Sequence, residues 1–241
     1  MLESIKEFRQ FHGLPHNTEE ITVPTTAIDA HLDHFEEELK EYTDAADPIS
    51  RIDAAVDLLI FALGGMSHAG VLFDYGWNFE SSFTGADREA ALLALAHHID
   101  KCRKRIDQFE LTAFCVADWA IELVLKEFDS TDANVFYDCF EIVHKSNMSK
   151  LCKSKAQAER TATEYNDKIH EAYLADPTNT PLYSCVPEET ANGWAIRRND
   201  GKLLKGPHFY APEPELGNYY YRIKYPHLSL EAAKLADDEQ R

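Results

Sequence analysis

The sequence predicts an all-α protein, a helical bundle with a Pro-rich C-terminal arm. In the first two-thirds of the chain, apolar residues recur at spacings of three and four, as they do on one face of an α-helix. Pro-containing helix-start signals precede two of these segments. Beyond residue 176 the character changes, because seven of the ten prolines lie there.

The first three helices are predicted from their boundaries. One lies near residues 5–11 and ends in a Gly-Leu-Pro turn. The second begins at Pro24-Thr25-Thr26 with a Thr cap. Its apolar stripe consists of Ile28, Leu32, Phe35, Leu39 and Tyr42. The third begins at Asp47-Pro48, with Asp as the cap, and ends at Gly64-Gly65 or slightly later.

Four more helical segments are predicted after a Gly- and aromatic-rich loop at 70–85. They lie at about 87–109, 111–128, 133–151 and 155–174. The tail is expected to be loop-rich, with one hairpin around Asn199-Asp200-Gly201. The predicted domains are therefore a helical domain at 1–175, with a helical insertion at about 76–130, and an arm at 176–241 packed on it.

The composition excludes several classes of partner. The chain has 24 Lys and Arg against 42 Asp and Glu, for a formal charge of −18. This acidity argues against a nucleic-acid polymer, whose phosphates are bound by clustered basic residues. The longest strongly apolar run, at 58–63, is far below the roughly 18 residues that span a bilayer. Five cysteines form no CxxC pair, so we expect a cytoplasmic protein with reduced thiols and no membrane contact.

Acidic residues accompany the apolar stripes of the second and third helices. Glu38 and Glu41 are three apart, so their carboxylates can converge on one ion, and Asp53 and Asp57 share one face of the next helix. Asp57 has apolar neighbours, which makes an unpaired carboxylate there costly. Oxygen ligands on facing helices suit Mg²⁺ or Mn²⁺, and such ions normally engage substrate phosphates.

Structural explanations remain open for each of these residues. A run such as EEELKE at 36–41 is usually a solvated helix face, and Asp53 suits a helix N-terminus, where acids are favoured. Asp118 and Glu122 are also four apart in an apolar helix, so a second metal site is conceivable there. An ion pair between these acids and Arg103 or Arg105 is the simpler alternative.

Four segments of the chain resemble the MazG-like all-α nucleoside triphosphate pyrophosphohydrolases. They are FHGLP with the acidic helix, DAAVDLLIFALGG at 53–65, HKSNMSKL at 144–151 and NDGKLLKGPHFYAPEP at 199–214. The last two are similar to segments of phage-encoded members. Glu38 and Glu41 match the ExxE of that family and Asp57 matches the Asp of its ExxD. Ala54 stands where the second Glu is expected, and Asp53 is a candidate substitute.

The resemblance implies a function, a metal and a set of roles. It implies Mg²⁺-dependent hydrolysis of a nucleoside triphosphate to the monophosphate and pyrophosphate, with the metal held by Glu38, Glu41, Asp53 and Asp57. Glu37, Glu38, Glu41 and Asp57 are the expected catalytic residues, with Glu37 as the candidate base for the attacking water. Asn147, Lys150, Lys202 and Lys205 are the expected substrate contacts, although a helix cap and solvent-exposed turn lysines explain the same residues. Members of the family form homodimers or homotetramers.

The preferred base is not readable from the sequence. Because some phage-type relatives act on dATP and dGTP, a purine deoxynucleotide is our first expectation, and the site of action would be the host cytoplasm. A dUTPase- or dCTPase-like pyrimidine preference is the enzymatic alternative. From a different class, the chain would be a catalytically inactive helical adaptor whose acids only keep it in solution.

Overall fold

The computed structural model describes residues 1–71 and 87–240. In these residues the nine α-helices α1 to α9 are Leu2–Phe11, Thr25–Asp44, Pro48–Ala69, Arg88–Lys104, Phe109–Glu127, Ala133–Met148, Lys155–Ala175, Glu213–Lys224 and Leu230–Gln240. The strands are β1 (Cys185–Thr190), β2 (Gly193–Arg198) and β3 (Leu203–Leu204), which form one antiparallel sheet in the order β1-β2-β3. The protein is therefore mostly helical as predicted, but it is not purely all-α.

The chain divides into two compact units. Unit 1 consists of Met1–Ile5, His16–Val143 and Ala211–Arg241, and unit 2 of Lys6–Pro15 and His144–Tyr210. The charge is divided unevenly between them. Unit 2 holds 12 of the 24 lysines and arginines but only 9 of the 42 acidic residues, so its formal charge is +3, whereas that of unit 1 is −21.

Helix α3 is the centre of unit 1. It packs against α2, α5 and α8, and α5 also packs against α4. Leu58, Leu59, Leu63 and Met66 of α3 are fully buried. A helix with neighbours on several sides needs apolar residues around most of its circumference, which explains the nearly continuous apolar run of this segment.

Of the two helix caps predicted for α2 and α3, the structure contains only the one at α3. Asp47 caps α3 as predicted, since its Oδ1 accepts hydrogen bonds from the backbone N–H of Ile49 and Ser50 at 2.9 and 3.0 Å. The Thr cap predicted for α2 is wrong. Pro24 is the residue before α2, no side chain caps the helix, and the Pro24 carbonyl accepts from the N–H of Ala27 and Ile28.

The Gly64-Gly65 pair does not end α3. The helix continues to Ala69 and ends at Gly70, whose φ of 79° is left-handed. Gly65 is instead required for packing, because a Cβ at this position would lie 2.9 Å from Cζ of Phe109 on α5. This glycine lets α3 and α5 approach one another closely.

The tail is more regular than predicted. Residues 185–204 form the sheet, on which α7 packs, and α8 and α9 follow it, so the expectation of a loop-rich arm is wrong. The hairpin predicted at residues 199–201 is confirmed, because β2 pairs with β3 across this turn. Cys152, Ala158, Ala162, Cys185 and Ile196 form a small buried core in unit 2.

Two further expectations concern the loop and the membrane. Most of the loop predicted at 70–85, with the start of the predicted insertion, lies outside the described residues. Of the helices that the structure describes, none combines the length and the apolar character that crossing a membrane requires.

Candidate functional site

The acidic residues of the predicted site belong to a helical hairpin. Three residues connect α2 to α3, and a connection this short makes the helices antiparallel neighbours. His34 of α2 stacks on Phe61 of α3, with ring centroids 4.5 Å apart and an interplanar angle of 22°. Further from the connection, Nε2 of His31 lies 3.3 Å from Nδ1 of His68. These two pairs confirm the antiparallel register.

The register brings Glu38 and Asp57 to the same height in the hairpin. Glu38 follows His34 by four residues and Asp57 precedes Phe61 by four, which is about 6 Å along each helix axis. Glu38 is only 3% exposed and Asp57 is half-buried. A buried glutamate on a charged helix face does not fit the solvated-face explanation, which therefore fails for Glu38.

A cleft of about 570 Å³ opens at the connected end of the hairpin. Three residues of the predicted site, Glu37, Glu41 and Asp53, line it. Glu38 and Asp57 do not. Ala54 also lines the cleft, at the position where the family resemblance leads one to expect a carboxylate.

Four polar residues that sequence reasoning missed also line this cleft, namely Lys40, Asp44, Ser50 and Glu213. Lys40 and Asp44 form an exposed ion pair one helical turn apart, and this hydrogen bond raises the pKa of the Lys40 ammonium. Ser50 is held by its Oγ, which donates to Oδ2 of the capping Asp47 at 2.7 Å. The spacing of Lys40 and Asp44 was a usable signal, whereas nothing local connects Glu213 to the hairpin.

The donor set agrees with a magnesium site in its chemistry. The acidic lining residues offer carboxylate oxygens, which are the ligands that Mg²⁺ prefers. Within residues 1–71 and 87–240, no three or more His, Cys, Asp or Glu side chains converge closely enough to form a complete metal site. Glu41 is exposed and Glu37 half-buried, so their side chains have room to change rotamer. Glu37, Glu41 and Asp53 therefore fit Mg²⁺ by donor type and by their common cleft, whereas Glu38 and Asp57 fit it only by donor type and by their common height in the hairpin.

The four predicted substrate contacts all lie in unit 2. Asn147 is 4% exposed in the last turn of α6, and its carbonyl oxygen accepts a hydrogen bond of 3.2 Å from Nε2 of His12. Lys150 follows two residues after the end of α6. Lys202 lies in the turn between β2 and β3, where its N–H donates to Oδ1 of Asp200 at 3.1 Å.

Lys150 and Lys205 lie on adjoining backbone segments. The N–H of Gly206 donates to the carbonyl oxygen of Lys150 at 2.8 Å. A Cβ at Gly206 would lie 2.5 Å from that oxygen, so the approach requires glycine. The Lys205 ammonium lies 4.5 Å from the centroid of the Phe209 ring. Two of the predicted lysines are thus neighbours, and Lys202 is at the other end of β3.

A buried basic group accompanies these lysines in unit 2. His12 is fully buried, and burial followed by the charge of Lys150 lowers its pKa to about 3. Arg9 is 6% exposed, and burial together with the charge of Arg197 lowers its pKa to about 9. The Nε of Arg9 donates to the carbonyl oxygen of Pro15 at 2.6 Å. Sequence reasoning did not single out either residue.

The structure also bears on the ion pairs that the sequence suggests between Asp118 or Glu122 of α5 and Arg103 or Arg105. Arg103 bonds to Asp33 and Glu36 at 2.6 and 2.8 Å, and Arg105 to Asp107 at 2.9 Å. The structure thus gives both arginines other acidic partners than the predicted ones.

Comparisons with known proteins add no relative. No family model matches the chain, and neither the curated proteins nor the solved structures include a match. The resemblance to the MazG-like proteins therefore stays a prediction from the four sequence segments.

Proposed function

We propose that the protein is a Mg²⁺-dependent nucleoside triphosphate pyrophosphohydrolase that prefers purine deoxynucleotides. The observation that carries this proposal is the acidic cleft of the α2–α3 hairpin, which Glu37, Glu41 and Asp53 line together. The type of reaction is proposed from the resemblance of the four sequence segments to the MazG-like proteins. The substrate class follows from the phosphates that a divalent cation engages in such a site.

The residues of the hairpin have distinct roles in this proposal. Glu38, Glu41 and Asp57, assisted by Asp53, would hold the cation through carboxylate oxygens. Bound Mg²⁺ neutralises phosphate charge and lowers the pKa of a water. Glu37 accepts the proton of the attacking water at a carboxylate oxygen, as a general base.

The substrate contacts are proposed from the family-like segments at 144–151 and 199–214. Lys150, Lys202 and Lys205 would bind the phosphate oxygens as point charges. The amide of Asn147 can both donate and accept a hydrogen bond, which suits a base edge or a sugar hydroxyl. Unit 2 carries the basic side chains that bind phosphate groups in proteins, with a formal charge of +3. A homodimer or homotetramer remains part of the proposal.

The direct test is a nucleotide panel with separate detection of pyrophosphate and orthophosphate. We expect pyrophosphate release with Mg²⁺ or Mn²⁺, highest for dATP and dGTP, and its loss when the metal is chelated. Higher turnover of dUTP or dCTP would favour the pyrimidine alternative. No release from any nucleotide would contradict the proposal.

Two variants test the site itself. Glu41→Gln and Asp57→Asn each remove one ligand charge with little change in shape, so we expect turnover to fall by about 100-fold or more. Asp29→Asn is the matched control, because Asp29 is exposed on α2 about 180° around the helix from Glu38. Full activity of either site variant with Mg²⁺ present would overturn the assignment.

A thermal unfolding experiment distinguishes the proposed enzyme from the catalytically inactive adaptor. A ligand that binds only the folded state raises the melting temperature by mass action. We therefore expect Mg²⁺ to raise the melting temperature of the wild-type protein, whereas an inactive adaptor does not respond. A monovalent salt of equal ionic strength is the control for screening.

A further inference from the structure

A second cleft in unit 1 collects basic side chains. It has a volume of about 210 Å³, and Arg51, Arg88, Lys126 and Lys224 are among its lining residues. Arg51 precedes Asp53 by two residues, which is about 200° of helix rotation, so this cleft lies on a different face of α3 from the acidic one. Four basic residues in one small cleft contrast with the formal charge of −21 of the unit.

The central carboxylate of this cleft accepts donors at both of its oxygens. Glu127 is 3% exposed. Its Oε1 accepts from the hydroxyl of Tyr42 and from Nη2 of Arg88, both at 2.7 Å. Its Oε2 lies 3.0 Å from Nη2 of Arg51. Glu127 therefore accepts from one terminal nitrogen of each guanidinium and from the hydroxyl of Tyr42, through both of its oxygens.

The other two acids of the cleft are engaged as well. Oδ2 of Asp129 lies 2.8 Å from Nζ of Lys224. Oδ1 of Asp237 accepts from the hydroxyls of Tyr220 and Tyr225 at 3.1 and 3.0 Å. Every carboxylate that lines the cleft thus already has a donor.

Donors remain in excess. The Nε of Arg51 is buried and has no acceptor in the parts of the chain that the structure describes. Nζ of Lys126 forms no ion pair or hydrogen bond with these residues. Arg88 uses only one of its terminal nitrogens on Glu127 and is about half exposed. Buried donors are usually satisfied, so this imbalance indicates an acceptor-rich ligand.

We propose that this basic cleft binds a phosphoryl group, either as inorganic phosphate or pyrophosphate or as the phosphate of a nucleotide. A phosphoryl group supplies several anionic acceptor oxygens. Guanidinium groups bind such oxygens through paired N–H donors, and an ammonium binds them as a point charge. The cleft is smaller than the roughly 300 Å³ at which pockets for whole organic ligands begin, so it holds the phosphoryl group rather than a complete nucleoside.

The test is calorimetric titration of the full-length protein without divalent cations. Inorganic phosphate, pyrophosphate and dAMP are titrated separately at one ionic strength, set with chloride and excess chelator. We expect saturable binding of at least one of them. Lys126→Ala should weaken it about tenfold or more, and Lys126→Glu should abolish it, because a charge-assisted contact is lost. Lys126 is the residue of choice because it does not hold Glu127.

The controls and outcomes separate the ligand sources. Lys101→Ala removes the same charge from an exposed position of α4 and should leave binding unchanged. Tighter binding of phosphate or pyrophosphate assigns the cleft to the free anion, and tighter binding of dAMP assigns it to a nucleotide phosphate. No saturable binding, or equal affinity in the wild type and Lys126→Ala, overturns the proposal. Since the assay contains no divalent cation and measures no turnover, its result is independent of the proposed hydrolase activity.

Discussion

His34 stacks on Phe61 across the interface of α2 and α3, with ring centroids 4.5 Å apart. This stack fixes how far one helix is displaced along the other. A displacement of one helical turn would move Glu38 about 5.4 Å away from the level of Asp57. The geometry of the proposed metal site thus depends on an aromatic contact one turn away from it.

The first prediction concerns Glu38, the buried carboxylate at this level. Glu38→Gln keeps the shape of the side chain and removes its charge, so we expect the affinity for Mg²⁺ to fall about tenfold or more. The rise in melting temperature with Mg²⁺ should then require correspondingly higher metal concentrations. Asp29→Asn should respond as the wild type does. An unchanged Mg²⁺ response of Glu38→Gln would remove this residue from the metal site.

The second prediction concerns the buried carboxylate of Glu127. Glu127→Ala leaves Arg51 and Tyr42 without their acceptor, and breaking a buried ion pair costs about 3–5 kcal/mol of unfolding free energy. Tyr42→Phe removes one neutral donor and leaves both arginines in place, so its cost should be about 1 kcal/mol. Urea unfolding curves measure both values. Equal costs would show that Glu127 is not the centre of this network.

The helices of the hairpin were predictable because their signals are local. Asp47 and Pro48 define the start of α3 within a few bonds, and the apolar spacing of α2 is a property of one segment. Glu37, Glu41 and Asp53, which line the acidic cleft, were predictable for the same reason. They lie close together in sequence, at positions where helix geometry determines the facing side.

Features that depend on distant segments could not be predicted in this way. Glu213 lines the acidic cleft although about 160 residues separate it from Asp53. The strands at 185–204 are short. Each forms because it pairs with a neighbouring segment, β1 and β3 with β2, and not because its own sequence has a strong strand pattern. The packing role of Gly65 is not visible in its own segment, which predicts a helix end at Gly64-Gly65 or slightly later, because its packing partner Phe109 belongs to another helix.

The third prediction separates two helical glycines by their surroundings. A Cβ at Gly65 would lie 2.9 Å from the buried ring of Phe109, so Gly65→Ala should cost about 1–3 kcal/mol of stability. A Cβ at Gly217 in α8 would meet only Cγ1 of Ile49 at 3.9 Å, an ordinary contact. Gly217→Ala should therefore stabilise the protein by about 0.4–1 kcal/mol. Thermal unfolding of both variants checks the prediction, and a stabilising Gly65→Ala would contradict the packing role.

The last prediction is a pH dependence that originates at His12. Its side chain is fully buried, lies 4.5 Å from the Phe8 ring between centroids, and has Lys150, Arg197 and His144 as basic neighbours. Burial, the largest cause, and these basic groups lower its pKa from 6.5 to about 3, and the carbonyl oxygen of Asn147 opposes them only in part. The imidazole is therefore neutral in the folded protein, donating through Nε2 to that carbonyl.

Between pH 6.5 and about 3 the unfolded chain binds a proton at His12 that the folded chain does not, so the free energy of unfolding falls as the pH is lowered. His12→Gln keeps an amide donor for the Asn147 carbonyl but does not titrate. From about pH 7.5 to about pH 5, the wild type should lose about 2 kcal/mol more stability than this variant. The exposed His170→Gln in the same unit should follow the wild type. Parallel pH profiles of the wild type and His12→Gln in urea unfolding would show that His12 is protonated equally in both states, contrary to its burial.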